Sequence, residues 1–146
     1  MPTFARFPTP WPLIPGLVLL LSGCGGGPAD DLLPVQGRVF YRGVAVTHGT
    51  IVFSPDAARG GNGALARAEI QPDGRYLLRT GERLGAAPGP YQVSVVAVAR
   101  EDVSGPADPY AAPRLLLPPR YRDPEQSGLS CQVEHGKDNT FDFYLD

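Results

Sequence analysis

Glycine or proline occupies roughly one position in four of this chain, and between these breaks apolar residues alternate with polar ones. The two features together narrow the fold sharply. Both residues disfavour helix interiors, so 18 glycines and 17 prolines in 146 residues argue against a helical bundle. Alternation of period two places every second side chain on one face, the pattern of a half-buried strand. The hydrophobic share of 42% is ordinary, so one globular domain can still bury a core.

The alternation begins at Val35. Val35 to Tyr41 reads as a first strand, Arg42-Gly43 as a two-residue hairpin turn, and Val44-Ala45-Val46 as the returning arm. Thr50 to Phe53 is a strand that stops at Ser54-Pro55, and residues 56–63 form a loop. Ala64 to Ile70 alternates again. Gln71-Pro72-Asp73-Gly74 is a turn by residue chemistry, since proline fixes φ and glycine accepts positive φ, and Arg75 to Thr80 is the other arm of that hairpin. Tyr91 to Val98 is the run richest in β-branched residues and is expected to lie centrally. In the last part Leu129, Cys131 and Val133 share a face. Phe141, Phe143 and Leu145 point one way, with Asp142, Tyr144 and Asp146 pointing the other. About seven short strands with turns every 8–12 residues predict an all-β sandwich.

Ahead of the strands, Leu13 to Leu21 is an apolar stretch too short to span a bilayer, which takes about 20 residues. Its length suits the core of a signal peptide. It runs into Leu21-Ser22-Gly23-Cys24, which resembles the bacterial lipobox. That resemblance implies cleavage before Cys24, acylation of its thiol, and lasting attachment to a membrane. Each buried methylene of the acyl chains contributes about 0.8 kcal/mol. The expected organisation is a signal peptide over 1–23, a lipidated flexible tether over 24–34 and a β-sandwich domain over 35–146. With Cys24 acylated, Cys131 is left as the one thiol and no internal disulfide can form. Gly25, where the enterobacterial sorting rule retains proteins bearing Asp, points to the outer membrane.

Several stretches further resemble small bacterial envelope lipoproteins that carry a transthyretin-like, carboxypeptidase-regulatory-like domain. They are Val35-x-Gly37-x-Val39-x-Tyr41-x-Gly43, Gly49-x-Ile51-x-Phe53-x-Pro55, Asp73-Gly74-x-Tyr76-x-Leu78 and Pro88-Gly89-x-Tyr91-x-Val93. Tyr121-x-Asp123-x-x-x-Ser127-Gly128-Leu129 and Asn139-x-Phe141-x-Phe143-x-Leu145 continue the series, which covers almost all of residues 35–146. The resemblance implies a Greek-key β-sandwich and a non-catalytic module. In the residues themselves, Gly37 suits a close approach of backbones, and Tyr76 and Tyr91 suit rings that cap a core with a hydroxyl at its edge.

The formal charge of −2 supplies no general attraction to nucleic acid. Nucleotide-binding and nucleophile-elbow motifs are not found. His48 and His135 each precede a glycine and read as turn residues. Asp102, Asp108, Asp123 and Glu125 lack calcium-loop spacing, and Cys131 reads as an inert core thiol, so no cofactor, metal or catalytic residue is expected. The longest irregular stretch, Arg100 to Pro119, holds Leu115-Leu116-Leu117, read first as an edge strand or flap and second as a docking patch. With Tyr110, Arg120 and Tyr121 these leucines make the expected interaction surface. The function that follows is a lipid-anchored envelope module, structural or protein-binding. Its alternative is a carbohydrate-binding module using Tyr110 and Tyr121, flanked by Arg114, Arg120 and Arg122.

Overall fold

The computed structural model describes residues 31–99 and 114–146. Within them the alternation becomes two packed sheets. The smaller is built on β1 (Gln36–Tyr41), which pairs antiparallel with β2 (Val44–Ala45) and β5 (Arg75–Leu77) and parallel with β10 (Phe143–Leu145). The larger runs β7 (Arg83–Leu84), β6 (Arg79–Thr80), β4 (Ala66–Ile70), β3 (Gly49–Pro55), β8 (Gly89–Val96) and β9 (Leu129–Val133). All its pairings are antiparallel. The β-branched run falls on β8, an interior strand, as its composition predicts.

Turn chemistry explains the hairpins. Arg42 and Gly43 have φ of 50° and 81°, so both central residues are left-handed, the geometry that matches strand twist in a two-residue loop. Tyr41 then sits opposite Val44. At the next turn the Gly74 N–H donates to the Gln71 carbonyl at 2.8 Å, and the Asp73 carboxylate accepts the Arg75 N–H at 3.1 Å.

Here the structure departs from the simple hairpin read in the sequence. β5 leaves β4 and pairs with β1, placing Gly37 opposite Tyr76. The chain crosses between sheets at the fully buried Leu78 and rejoins β4 only where Arg79 faces Arg67. The segment 75–80 is thus a corner strand serving both sheets. This division and the short β7 add to the count, which is ten strands among the described residues where about seven were expected.

The core lies between the sheets. Ile51 and Phe53 of β3, Tyr91, Val93 and Val95 of β8, and Val35, Val39 and Leu145 from the smaller sheet are at most 1% exposed. Phe53 is its hub, with ring centroids of Tyr76, Tyr91, Phe141 and Phe143 at 6.0, 5.9, 6.5 and 5.9 Å. The two tyrosines keep their hydroxyls bonded at the margin. Tyr76 donates to the Phe141 carbonyl at 2.6 Å and Tyr91 to that of Ala87 at 2.9 Å. Strand-like pairing extends to a residue before Val35, because Leu33 exchanges two backbone hydrogen bonds with Ala86, at 2.9 and 3.0 Å.

Candidate binding surfaces

Two of the expected interaction residues belong to the core. The 3₁₀ turn Pro119–Arg122 carries Tyr121 inward, leaving it 3% exposed. Its hydroxyl accepts the Asp146 N–H at 2.9 Å and the Arg120 guanidinium at 2.7 Å, while that guanidinium also lies 4.8 Å from the ring centroid. Tyr121 therefore ties the 3₁₀ turn between β8 and β9 to the end of β10 and presents no sugar platform. Leu117 is 5% exposed. Leu115 is half-buried and bridges Val98, as a flap on the sheet would. Only Leu116 and Arg120 remain as exposed members of the patch, and Tyr110 and Cys24 lie outside the described residues. Of the expected six-residue surface, Leu117 and Tyr121 thus turn inward, because an irregular segment has no periodicity to say which side chains do so.

The outer face of the smaller sheet carries what that segment does not. Parallel pairing sets Phe40 directly opposite Tyr144, and the rings stack at 5.0 Å with planes 8° apart. Tyr144 is 68% exposed. Along the same strands the Arg38 N–H donates to the Asp142 carboxylate at 2.8 Å. Beyond it lies a depression of about 330 Å³ lined by Gln36, Arg38, Arg75, Thr140 and Asp142 among others. Gln36, Arg75 and Tyr76 are shared with a larger groove of about 850 Å³, which continues past Arg67, Glu69 and Arg79 to Leu77 and Leu84. The outward position of Tyr144 follows from the alternation of the last strand. Its partner Phe40 was hidden, since nothing local announces that the first and last strands run side by side.

His48, His135 and Asp123, singled out in the sequence, have structural partners. The His48 ring contacts the Thr47 hydroxyl at 3.0 Å and the Val98 carbonyl at 2.8 Å, and His135 pairs with Asp31 at 3.1 Å. Asp123 accepts the Glu125 N–H at 2.9 Å and the Gln126 side chain at 2.6 Å. Among the described residues no three His, Cys, Asp or Glu side chains converge as metal ligands, and no helix is long and apolar enough to cross a membrane. Asp102 and Asp108 lie outside those residues.

Burial pushes the Cys131 thiol up to about 12, against an ordinary value of 9.0, although Arg59 pulls the other way. At neutral pH it is a protonated thiol and a poor nucleophile. Burial also raises the Tyr76 hydroxyl well above its usual range, helped by the neighbouring Cys131 and Asp142. Both shifts favour the protonated form in the folded state. Stability is therefore full below pH 9, where the unfolded thiol is protonated, and falls as the unfolded chain releases these protons. Urea midpoints are expected to be level from pH 7 to 8.5 and to fall steadily from pH 9 to 11. Cys131→Ala, which removes one titrating group, makes that fall shallower; a midpoint independent of alkaline pH would contradict the assignment.

Comparison with protein-family models, curated proteins and solved structures returns no match.

Proposed function

We propose that this chain is a lipid-anchored protein of the bacterial cell envelope whose two-sheet domain acts by surface contact, as a structural or protein-interaction module without catalysis. The lipobox-like Leu21-Ser22-Gly23-Cys24 supports the anchor, and Gly25 inclines the location to the outer membrane. A Greek-key, transthyretin-like arrangement is the finer reading of the fold. It draws support from the two-sheet arrangement, in which all but one of the strand pairings are antiparallel.

One observation carries the contact role: an exposed tyrosine stacked on a second ring, on the open face of a sheet, with an arginine and a carboxylate alongside. Binding hot spots favour aromatic and arginine side chains, and a ring already braced by a neighbour loses little freedom on contact. Photo-crosslinking in native membranes from position 140, which lines the same surface as Asp142 and Tyr144, tests the role. A discrete crosslinked protein that disappears with Phe40→Ala and Tyr144→Ala supports it, provided the melting temperature holds. Uniform, non-specific labelling contradicts it. For the anchor, Cys24→Ala is expected to move the protein from the membrane to the soluble fraction and to abolish labelling by a palmitate analogue. Persistence of the variant in the membrane fraction would overturn lipidation at this residue.

The same stack favours one second reading, a carbohydrate-binding module, because sugar rings pack on exposed aromatic faces. Here the platform is Tyr144 and Phe40 in place of Tyr110 and Tyr121. A glycan array separates the two: a saccharide signal lost in Tyr144→Ala selects the sugar, and a blank array with a retained protein crosslink selects the protein partner.

A further inference from the structure

The larger groove holds an arrangement that sheet stability alone does not favour. Arg67 of β4 and Arg79 of β6 stand directly opposite each other, and like charges so placed are destabilising. Neither is neutralised locally. Arg79 donates at 2.5 Å to the Glu82 backbone carbonyl, which fixes the guanidinium without cancelling its charge. Arg67 has no ion-pair partner among the described residues. The groove lining contains three arginines and one carboxylate, Glu69; Arg75 is paired with Asp73 at 3.3 Å, and Arg67 and Arg79 still leave the lining locally positive on a chain whose net charge is −2. Arginine guanidinium groups hold phosphate oxygens through paired, parallel hydrogen bonds, so two arginines at one register position suit such an anion.

Beside Gln36, Thr50 and Gln71, the groove also has an apolar rim. Leu77 and Leu84 line it while remaining 46% and 54% exposed. Leu84 lies two residues before Ala86, to which Leu33 is bonded, so the chain enters the domain beside this rim. Residues 24–30 can extend by at most about 25 Å, at 3.3–3.6 Å per residue. If Cys24 is acylated, as proposed above, that length holds the rim near the bilayer surface.

We propose that this groove binds the phosphate of an anionic amphiphile, with the phosphate between Arg67 and Arg79 and the apolar portion along Leu77 and Leu84. Such a phosphate could be supplied by a membrane lipid or by a soluble phosphate, and the test separates the two. The protein as purified is titrated with dihexanoyl phosphatidylglycerol below its micelle threshold, with dihexanoyl phosphatidylcholine, and with inorganic phosphate. Hydrogen exchange is followed at the backbone amides of β4, β6 and β7. The expected result is exchange slowed about fivefold by the anionic lipid, little changed by the zwitterionic one, and less affected as salt screens the arginines. Arg67→Gln with Arg79→Gln is expected to abolish the protection while leaving the urea midpoint unchanged or higher, since a repulsion is removed. Equal protection by inorganic phosphate would overturn the amphiphile and leave a soluble oxyanion. No protection by any of the three, or protection that survives the double variant, would overturn the site. The mass of residue 24 in the same sample reports on acylation separately, and the titration does not depend on it.

Discussion

Gly37→Ala is expected to destabilise the domain by about 4 kcal/mol, enough to leave much of it unfolded at 37 °C. A Cβ at this position would lie 1.9 Å from the Phe141 carbonyl oxygen, 2.6 Å from its carbon and 2.9 Å from the Tyr76 hydroxyl. Two of these three atoms belong to backbone that cannot rotate away. Relief requires β1 to part from residues 139–141, where Gln36 makes backbone hydrogen bonds of 3.2 and 2.9 Å with Asn139 and Phe141. Parting also weakens the 2.6 Å bond from Tyr76 to the Phe141 carbonyl. Overpacking in a rigid site costs typically 1–3 kcal/mol, and each buried polar group left unpaired adds about 1–3 more. Gly43→Ala is the control. Gly43 also has no side chain, but a Cβ there meets nothing within 4 Å, and only its φ of 81° opposes the change. That conformation alone costs about 1–2 kcal/mol. Urea denaturation of both variants decides the matter: equal losses would mean that the close approach of β1 to Phe141 is not the constraint described.

Phe53→Ala is expected to cost about 3–5 kcal/mol, the usual range for an aromatic ring deleted from a core. Its place argues for the upper half. Phe53 is fully buried and meets four other rings, from β5, β8, β10 and the residues just before β10. Those rings are held from opposite sheets, and Tyr76 and Tyr91 are pinned by their hydroxyls, so they cannot collapse into the space. The melting temperature should fall by roughly 15–30 °C for a body of this size. Phe53→Leu, which keeps most of the volume, should lose less than half as much. A Phe53→Ala protein within 1 kcal/mol of the parent would show that the rings do not form one packed unit.

Much of this architecture was legible in the residues, and the boundary of what was legible is physical. Arg42-Gly43 announced its hairpin, because left-handed φ at two successive positions is a local property with a local signature. Inward Phe143 and Leu145 and outward Tyr144 followed from alternation alone. What stayed hidden depends on which strand lies beside which. Arg75 to Thr80 reads as one continuous arm, and nothing within it says that Leu78 is where the chain changes sheets. The opposition of Arg67 and Arg79 and the stacking of Phe40 on Tyr144 are matters of register between distant segments. Tyr121 among its arginines reads first as a loop anchor and second as a surface aromatic; what it anchors to, the backbone N–H of Asp146, is not written in its own neighbourhood.

The parallel pairing of the first and last strands has a mechanical consequence. When the start of β1 and the end of β10 are pulled apart, the hydrogen bonds from Val39–Phe143 to Tyr41–Leu145 are loaded along the strands and must slide together instead of unzipping singly. A tensile load transmitted through such a domain would meet a latch at that seam, reinforced where Tyr121 holds Asp146.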